Sequence, residues 1–457
     1  MLKNVISVID GVAGSCGKAK VIGEIATDRS IKVGAAITNC MPNAGHTFMD
    51  GKGNRIVFKN IPVSTVNKDT ELFIGPGSAI DMDLFQEEYK NVSKYLGNRK
   101  IYVHEMVPLI EERHKAYERK SIKSGSTFRG CGAVSMEKII RDENLNFFQT
   151  YKNAISVTNE EYLDRLYKHL ENPYEYVLLE GAQGCDLSLN HSGNYPFVTS
   201  RNVSTTQLLA DSGISAERLL QTIMVIRPFP IRISNVTKSG DIIYTGDYGN
   251  GEELTWSQVN IASMYGTYLG HQDMEELEIL EQELLTELLS KCPEIYLKQL
   301  FGKRYQNVSV QEISVIEALE LERLVYKSMG KRKYQSRVVD LSIFGRDDYQ
   351  NMIFDQSEQT TVTKMERRIF DLDIKKLKNN CRINTPSSLY LNFLQHLDLT
   401  YQNQIGNYQE CGFNRYIREY FNWLESSTGV EISTFGTGPK NGDKIWKKRL
   451  VKDIQKG

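Results

Sequence analysis

The chain has 457 residues, 40% of them hydrophobic and 25% charged, with a formal net charge of −1. This length exceeds one ordinary domain and implies two domains, or one large domain with an insertion. The composition is that of a globular protein, and the charge balance excludes a global field drawing in nucleic acid or an anionic membrane.

Val5–Ile9 is an unbroken apolar run and predicts a buried strand, and Lys18–Thr27 predicts a helix. Between them, residues 10–20 read Asp-Gly-Val-Ala-Gly-Ser-Cys-Gly-Lys-Ala-Lys. A Gly-rich turn from strand to helix can aim backbone N–H groups at a phosphate, with Gly14, Gly17 and Lys18 as candidates. A plain Gly-rich turn is the alternative. It is not a Walker A loop, because no glycine stands five residues before Gly17 and no Ser or Thr follows Lys18. Further strands are predicted at Lys32–Thr38, Leu72–Ile74, Ile101–His104, Tyr176–Leu179 and Thr222–Ile226. Several end in glycine or polar clusters, such as Gly75-Pro76-Gly77-Ser78. Strand, polar loop and helix in repetition predict an α/β fold with a largely parallel sheet, which binds ligands where loops leave the strands' carboxyl ends.

From about 245 to 355 the pattern changes. His271–Lys291 is acidic, with Met274, Leu277, Leu280, Leu284 and Leu288 at helical spacing, and a second helix is expected over Val310–Met329. The expected division is a catalytic domain of 1–244 and 356–457, with 245–355 as a mainly helical insertion or subdomain. Strands return near Leu389–Leu394 and at Val430–Phe435. The Lys-rich tail from Lys440 to Lys456 is expected to be a solvated end. The seven cysteines (Cys16, Cys40, Cys131, Cys185, Cys292, Cys381, Cys411) show no Cys-x-x-Cys spacing, so reduced thiols in a cytoplasmic protein are expected and zinc is not. No apolar stretch is long enough to span a bilayer, and neither signal peptide nor anchor is expected.

A second informative segment is Asn43-Ala44-Gly45-His46-Thr47, where small residues permit close backbone approach and a histidine can give a proton beside a phosphate. Together with the first loop it resembles adenylosuccinate synthetase, whose loops run Gly-Asp-Glu-Gly-Lys-Gly-Lys and Asn-Ala-Gly-His-Thr. Glu180-Gly181-Ala182-Gln183-Gly184, Tyr195-Pro196-Phe197-Val198-Thr199-Ser200, the stretch from Ser126-Thr127 to Arg141, and Gly436-Thr437-Gly438-Pro439 resemble further segments of that family. The ordered set covers most of 1–235 and 359–445.

The resemblance implies the family's α/β fold, a largely parallel central sheet, and a ligase that moves a γ-phosphoryl group onto O6 of a purine nucleoside monophosphate. Aspartate then displaces phosphate at C6. It implies Mg²⁺, ATP or GTP as donor, and a homodimer. Lys18 and His46 would stabilise the moving phosphoryl group, His46 as general acid. Gly45 would ligate Mg²⁺ through its carbonyl, with Ser15 beside it. Asn43, Thr127 and Thr199 would hold the 5′-phosphate, Arg141 would reach in from the other subunit, and Gln183 would contact the purine. Gly14, Gly17, Arg232, Gly436, Gly438 and Pro439 complete the implied nucleotide set.

Three departures bear on substrate. Ser15 stands where the family has the aspartate that takes the N1 proton, a role worth about 10²–10⁴-fold. Either the protein is inactive, or its substrate is one an aspartate would reject. A 2-amino purine is such a substrate, and Ser15 resembles the small residue of the phage branch that couples aspartate to dGMP. Gln395 falls where the family's guanine-reading aspartate belongs, and a carboxamide that both donates and accepts suits adenine. A slip of three residues would give that role to Asp398 instead. Thr363, Lys364 and Arg367 align with the amino-acid loop, with Met365 in place of one arginine. These readings imply dGMP or GMP with ATP or dATP. The alternatives are an ordinary enzyme using IMP and GTP, a ligase for a different amine, or an inactive purine-nucleotide sensor.

Overall fold

The computed structural model describes residues 1–122, 126–238, 241–254, 256, 259, 263, 358 and 367–455. The first apolar run becomes β1 (Val5–Asp10), buried at every position. The amino-terminal half continues with α1 (Lys18–Thr27), β2 (Val33–Thr38), β3 (His46–Met49), β4 (Arg55–Phe58), β5 (Glu71–Ile74), α2 (Met82–Leu96) and β6 (Ile101–His104). Then come α3 (Glu112–Ser121), α4 (Cys131–Ile140), β7 (Ala154–Val157), α5 (Asn159–Leu170), β8 (Tyr176–Glu180), α6 (Thr205–Asp211) and β9 (Leu219–Ile226). Short strands follow: β10 (Ile231–Arg232), β11 (Val236–Lys238), β12 (Asp241–Ile243), β13 (Glu253–Leu254) and β14 (Arg368–Phe370). The chain closes with α7 (Ile374–Asn384), β15 (Ser388–Leu391), β16 (Gly406–Asn407), α8 (Arg415–Thr428), β17 (Ile432–Gly436) and β18 (Lys444–Trp446).

One sheet of 11 strands runs β16-β18-β17-β15-β9-β1-β8-β2-β5-β6-β7. Every pairing from β17 to β7 is parallel, and only β17 with β18 is antiparallel. The period-2 alternation of strands distributes side chains to two cores. Ile6, Ala36, Leu72 and Leu178 pack on one face, and Val5, Ile37, Phe73, Val177 and Leu179 on the other. Each large apolar side chain so buried contributes roughly 1.5–3 kcal/mol of transfer free energy, which is why both faces must be covered. Helix ends carry their own signals. Asn414 caps α8 by accepting the Ile417 N–H at 2.9 Å, and Gly429 ends that helix at φ 73°.

The structure corrects several expectations. The strand expected over Leu389–Leu394 ends at Leu391, because Phe393 turns into the left-handed region at φ 62°. The Lys440–Lys456 tail is not simply a solvated end. It contributes β18, buries Ile445 and Val451, and Lys3 and Gln455 exchange backbone hydrogen bonds. Asn43–Thr47 runs into the β3–β4 hairpin, and β7 gave no clear signal in sequence. The helices expected at His271–Lys291 and Val310–Met329 lie outside the described residues, as does most of 245–355. The described start of that block holds β13, which pairs with β14.

Candidate functional site

Loops from the carboxyl ends of β1, β2, β8, β9, β15 and β17 meet around a cleft of about 1090 Å³. This is the end at which an open parallel sheet binds ligands. The cleft gathers Gly14, Ser15, Gly17, Lys18, Asn43, Gly45, His46, Thr127, Gln183, Thr199, Arg232, Arg367, Gln395, Gly438 and Pro439 from distant segments. Gly436 lies outside it, packed against Asn392 so closely that a Cβ would fall 1.7 Å from the carboxamide oxygen. Arg141 is exposed at the end of α4 and is not among the residues that line the cleft. Thr363, Lys364 and Met365 lie outside the described residues.

The first loop is built around a residue that sequence reasoning passed over. Asp10, fully buried at the end of β1, accepts the N–H groups of Val12 at 3.0 Å and Gly14 at 3.2 Å through Oδ1. Through Oδ2 it accepts from Cys16 N–H at 3.2 Å and Lys18 Nζ at 3.1 Å. Lys18 also donates to the Gln183 carbonyl at 2.8 Å. An internal carboxylate thus fixes alternate amides and the lysine before any ligand arrives. Gly17, at φ 80°, caps α1 and opens its amino end on the cleft, where peptide dipoles and Lys18 favour an anion. The Gly184 turn closes on this loop, with a Cβ there falling 2.1 Å from the Val12 carbonyl oxygen. The acid was visible in the segment, but nothing in sequence said that it turned inward.

His46 is buried, and its Nε2 lies 3.4 Å from Cys40 Sγ. Burial, and then the nearby Lys18 charge, push its pKa down to about 3. The imidazole is therefore neutral in the free protein. Burial pushes the Cys40 thiol up to about 11, so it stays protonated beside the ring.

Ser15 adopts φ 55° and lines the cleft. Its hydroxyl accepts from Arg367 Nη1 at 2.6 Å, and its carbonyl accepts from Arg227 Nη1 at 3.1 Å. Arg227 is fully buried, lies 4.1 Å over the Phe393 ring, and is held by both Glu358 oxygens at 3.1 and 2.5 Å. Burial would raise the Glu358 pKa, but the Arg227 charge and hydrogen bond hold it below the usual range. The other cleft carboxylate, Glu118, accepts the N–H groups of Gly130 and Gly132 at 2.7 Å each and shapes the loop carrying Thr127. Among the described residues, both carboxylates that line the cleft are thus already engaged. Among the described residues no cluster of three or more His, Cys, Asp or Glu stands ready to hold a metal.

Elsewhere in the cleft, Gln395 Oε1 and His396 Nδ1 are buried with no hydrogen-bond partner among the described residues, and so is Arg232 Nη1. All three residues line the cleft. Asp398 does not; its carboxylate accepts from Thr400 N–H at 2.9 Å and Asn414 Nδ2 at 2.8 Å. The slipped alignment would place a reading role on a carboxylate turned into the fold. Arg232 is anchored by donating to the carbonyls of Phe197 at 3.1 Å and Thr245 at 2.5 Å. Among the described residues, no helix is long and apolar enough to cross a membrane.

The adenylosuccinate synthetase family model matches residues 8–146 and 142–241. The N6-succino-2-amino-2′-deoxyadenylate synthase of Vibrio phage phiVC8 is 34% identical over 272 residues, which span 56% of this chain and 74% of that protein. The adenylosuccinate synthetase of Methanocaldococcus jannaschii is 30% identical over 231 residues, spanning 50% and 65%. Among solved structures, the cyanophage S-2L succinoaminodeoxyadenylate synthetase bound to dGMP and dATP superposes with a TM-score of 0.64 at 22% identity, covering 98% of this chain and 96% of that one. The fully ligated adenylosuccinate synthetase of Plasmodium falciparum gives 0.64 at 16% identity, covering 97% and 100%. At these identities the structural likeness speaks to fold alone.

Proposed function

Because the chain belongs to the adenylosuccinate synthetase family of carbon–nitrogen ligases, we propose that it joins aspartate to C6 of a guanine nucleoside monophosphate, dGMP first, with ATP or dATP. The 6-oxo group is a poor leaving group, so O6 must first take the γ-phosphoryl group and depart as phosphate. Lys18, held by Asp10 and the Gln183 carbonyl, steadies charge on the phosphoryl group in flight. His46, taking up a proton as the phosphate charge arrives to favour the imidazolium, gives that proton to the group. Asn43, Thr127 and Thr199 hold the 5′-phosphate, Arg232 Nη1 meets the ribose, and Arg367 takes a carboxylate of aspartate as a guanidinium fork.

The observation that carries this reading is Ser15. It offers the purine a small neutral hydroxyl where a carboxylate would crowd a 2-amino group, and Arg367 already occupies one of its acceptor positions. The name of the phage phiVC8 relative describes a 2-amino, 2′-deoxy product, which supports the same choice. Gln395, with an orphaned carboxamide oxygen, suits adenine in the donor.

The Gly45 carbonyl is a hard oxygen at the cleft and suits Mg²⁺, which when bound would neutralise charge on the donor phosphates. Ser15 suits it less while a guanidinium sits on its hydroxyl. We further place the enzyme in the cytoplasm as a homodimer. The six described cysteines are all free, and Arg141 adjoins the exposed Ile139 and Ile140 on α4.

The test pairs each of IMP, GMP and dGMP with ATP or GTP, in Mg²⁺ and aspartate, and reads adduct mass and released phosphate. Adduct from dGMP or GMP with ATP is expected. Adduct only from IMP with GTP contradicts the reading, and nucleotide binding without phosphate release replaces it with a sensor.

A further inference from the structure

Glu118 on α3 lines the cleft, is 4% exposed, and meets three backbone donors at the start of α4. Its Oε2 accepts the Gly130 N–H at 2.7 Å, and its Oε1 accepts those of Gly132 at 2.7 Å and Ala133 at 3.4 Å. These amides and the positive end of the α4 dipole carry its charge. Gly130, at φ 81°, lies so close to α3 that a Cβ there would fall 2.8 Å from Ile110 Cγ2 and 3.0 Å from His114 Cβ. The same turn touches the other two segments that carry phosphate-holding candidates. Cys131 packs in one apolar cluster with Met41, just before Asn43. A Cβ on Gly132 would fall 3.5 Å from the Cβ of Ser200, the neighbour of Thr199.

We infer that Glu118 is a positioning residue for the 5′-phosphate of the monophosphate: its carboxylate fixes the first turn of α4, and that turn holds Thr127 in place beside Asn43 and Thr199. This rests on the reading of those three residues as the phosphate holders. A helix amino end is a ready anion site, but on α4 the Glu118 carboxylate already fills it. The phosphate is therefore met by the groups beside that helix, and their spacing depends on where Gly130 and Gly132 are held. Asp10 does the matching task in the first loop, on the amides of Val12, Gly14 and Cys16. Each carboxylate spends its lone pairs on amides of a glycine-bearing loop, so each loop keeps its shape before the ligand arrives.

Glutamine keeps the shape of Glu118 and turns an NH₂ toward a backbone N–H, so the turn loses a bond and sets donor against donor. Binding of dGMP, of IMP and of a non-hydrolysable ATP analogue is titrated calorimetrically on the full chain. The proteins are wild type, Glu118→Gln, Thr127→Ala and the double variant. Glu118→Gln should weaken monophosphate binding about tenfold to thirtyfold and leave the ATP analogue within about threefold of wild type. In the Thr127→Ala background the same change should cost no more than about threefold, because the hydroxyl it positions is gone. Circular dichroism checks that each variant folds. Losses that multiply in the double variant, or an equal loss for the ATP analogue, overturn the positioning role. An unchanged affinity in Glu118→Gln overturns it too. Unchanged monophosphate binding in Thr127→Ala overturns both that role and the reading of Thr127 as a phosphate holder. The same coupling seen with IMP, in a chain that does not bind dGMP, overturns the guanine reading alone.

Discussion

The two ends of the cleft are built on opposite plans. At the phosphate end, Asp10 and Lys18 are completed from within: the carboxylate carries three amides and an ammonium, and the lysine also bonds a carbonyl. At the base and ribose positions, Gln395 Oε1, His396 Nδ1 and Arg232 Nη1 are buried without partners among the described residues. Such orphaned groups are costly to keep unless a ligand satisfies them. The phosphate end is therefore preorganised for chemistry common to every nucleotide, and the base end waits for a particular one.

This contrast can be broken in four places. Lys18→Ala should have the largest effect, a fall in kcat/KM of about 10²–10³-fold for every substrate pair alike, measured by phosphate release. Asp10→Asn should come next. Its amide nitrogen would face two donors, the Cys16 N–H and Lys18, and the loss of charge-assisted bonds should lower kcat about tenfold to a hundredfold, again without changing substrate preference. A selective loss in either variant would show that the phosphate end also discriminates. Gln395→Asp should do the reverse, moving the ratio of kcat/KM for ATP over GTP toward GTP by about tenfold to a hundredfold while leaving the monophosphate preference alone.

The smallest effect concerns pH. Burial, then the Arg227 charge, push His396 down to about 3. Between that value and the unfolded value near 6.5 the unfolded chain binds more protons, so stability rises with pH and falls on acidification. The contribution is at most about 1.4 kcal/mol per pH unit. Glu88 and Glu180, pushed up to about 7 by burial, act in the opposite sense, which makes a comparison of variants cleaner than one curve. His396→Asn should make the drop in urea midpoint from pH 6.5 to pH 5 shallower than in wild type. An equal drop would place the imidazole in a wetter, more ordinary setting.

The difference between the ends also explains what sequence could reveal. Local patterns carried the strands and the loops, since apolar runs and glycine turns are read from neighbours. The β1 loop, the Asn43–Thr47 segment and the Gln183 turn were legible for that reason. What escaped were contacts closing across long stretches of chain. Ser15 meets Arg367 352 residues away, and Arg227 meets Glu358 131 residues away. The inward turn of Asp10 escaped for another reason, because an acid at a strand end reads the same whether it faces ligand or backbone. Phe393 likewise looked like continued strand, until its left-handed backbone turned Gln395 toward the cleft and left Asp398 inside the fold.

The central claim, that Ser15 selects a guanine nucleotide, is tested most directly by competition. Equimolar IMP and dGMP are offered together with ATP, GTP, Mg²⁺ and aspartate, and the two adducts are counted by mass. The account predicts that wild type gives mostly the 2-amino adduct and that Ser15→Asp shifts the ratio toward the IMP adduct. A wild type that favours IMP, or a ratio unmoved by Ser15→Asp, would contradict it.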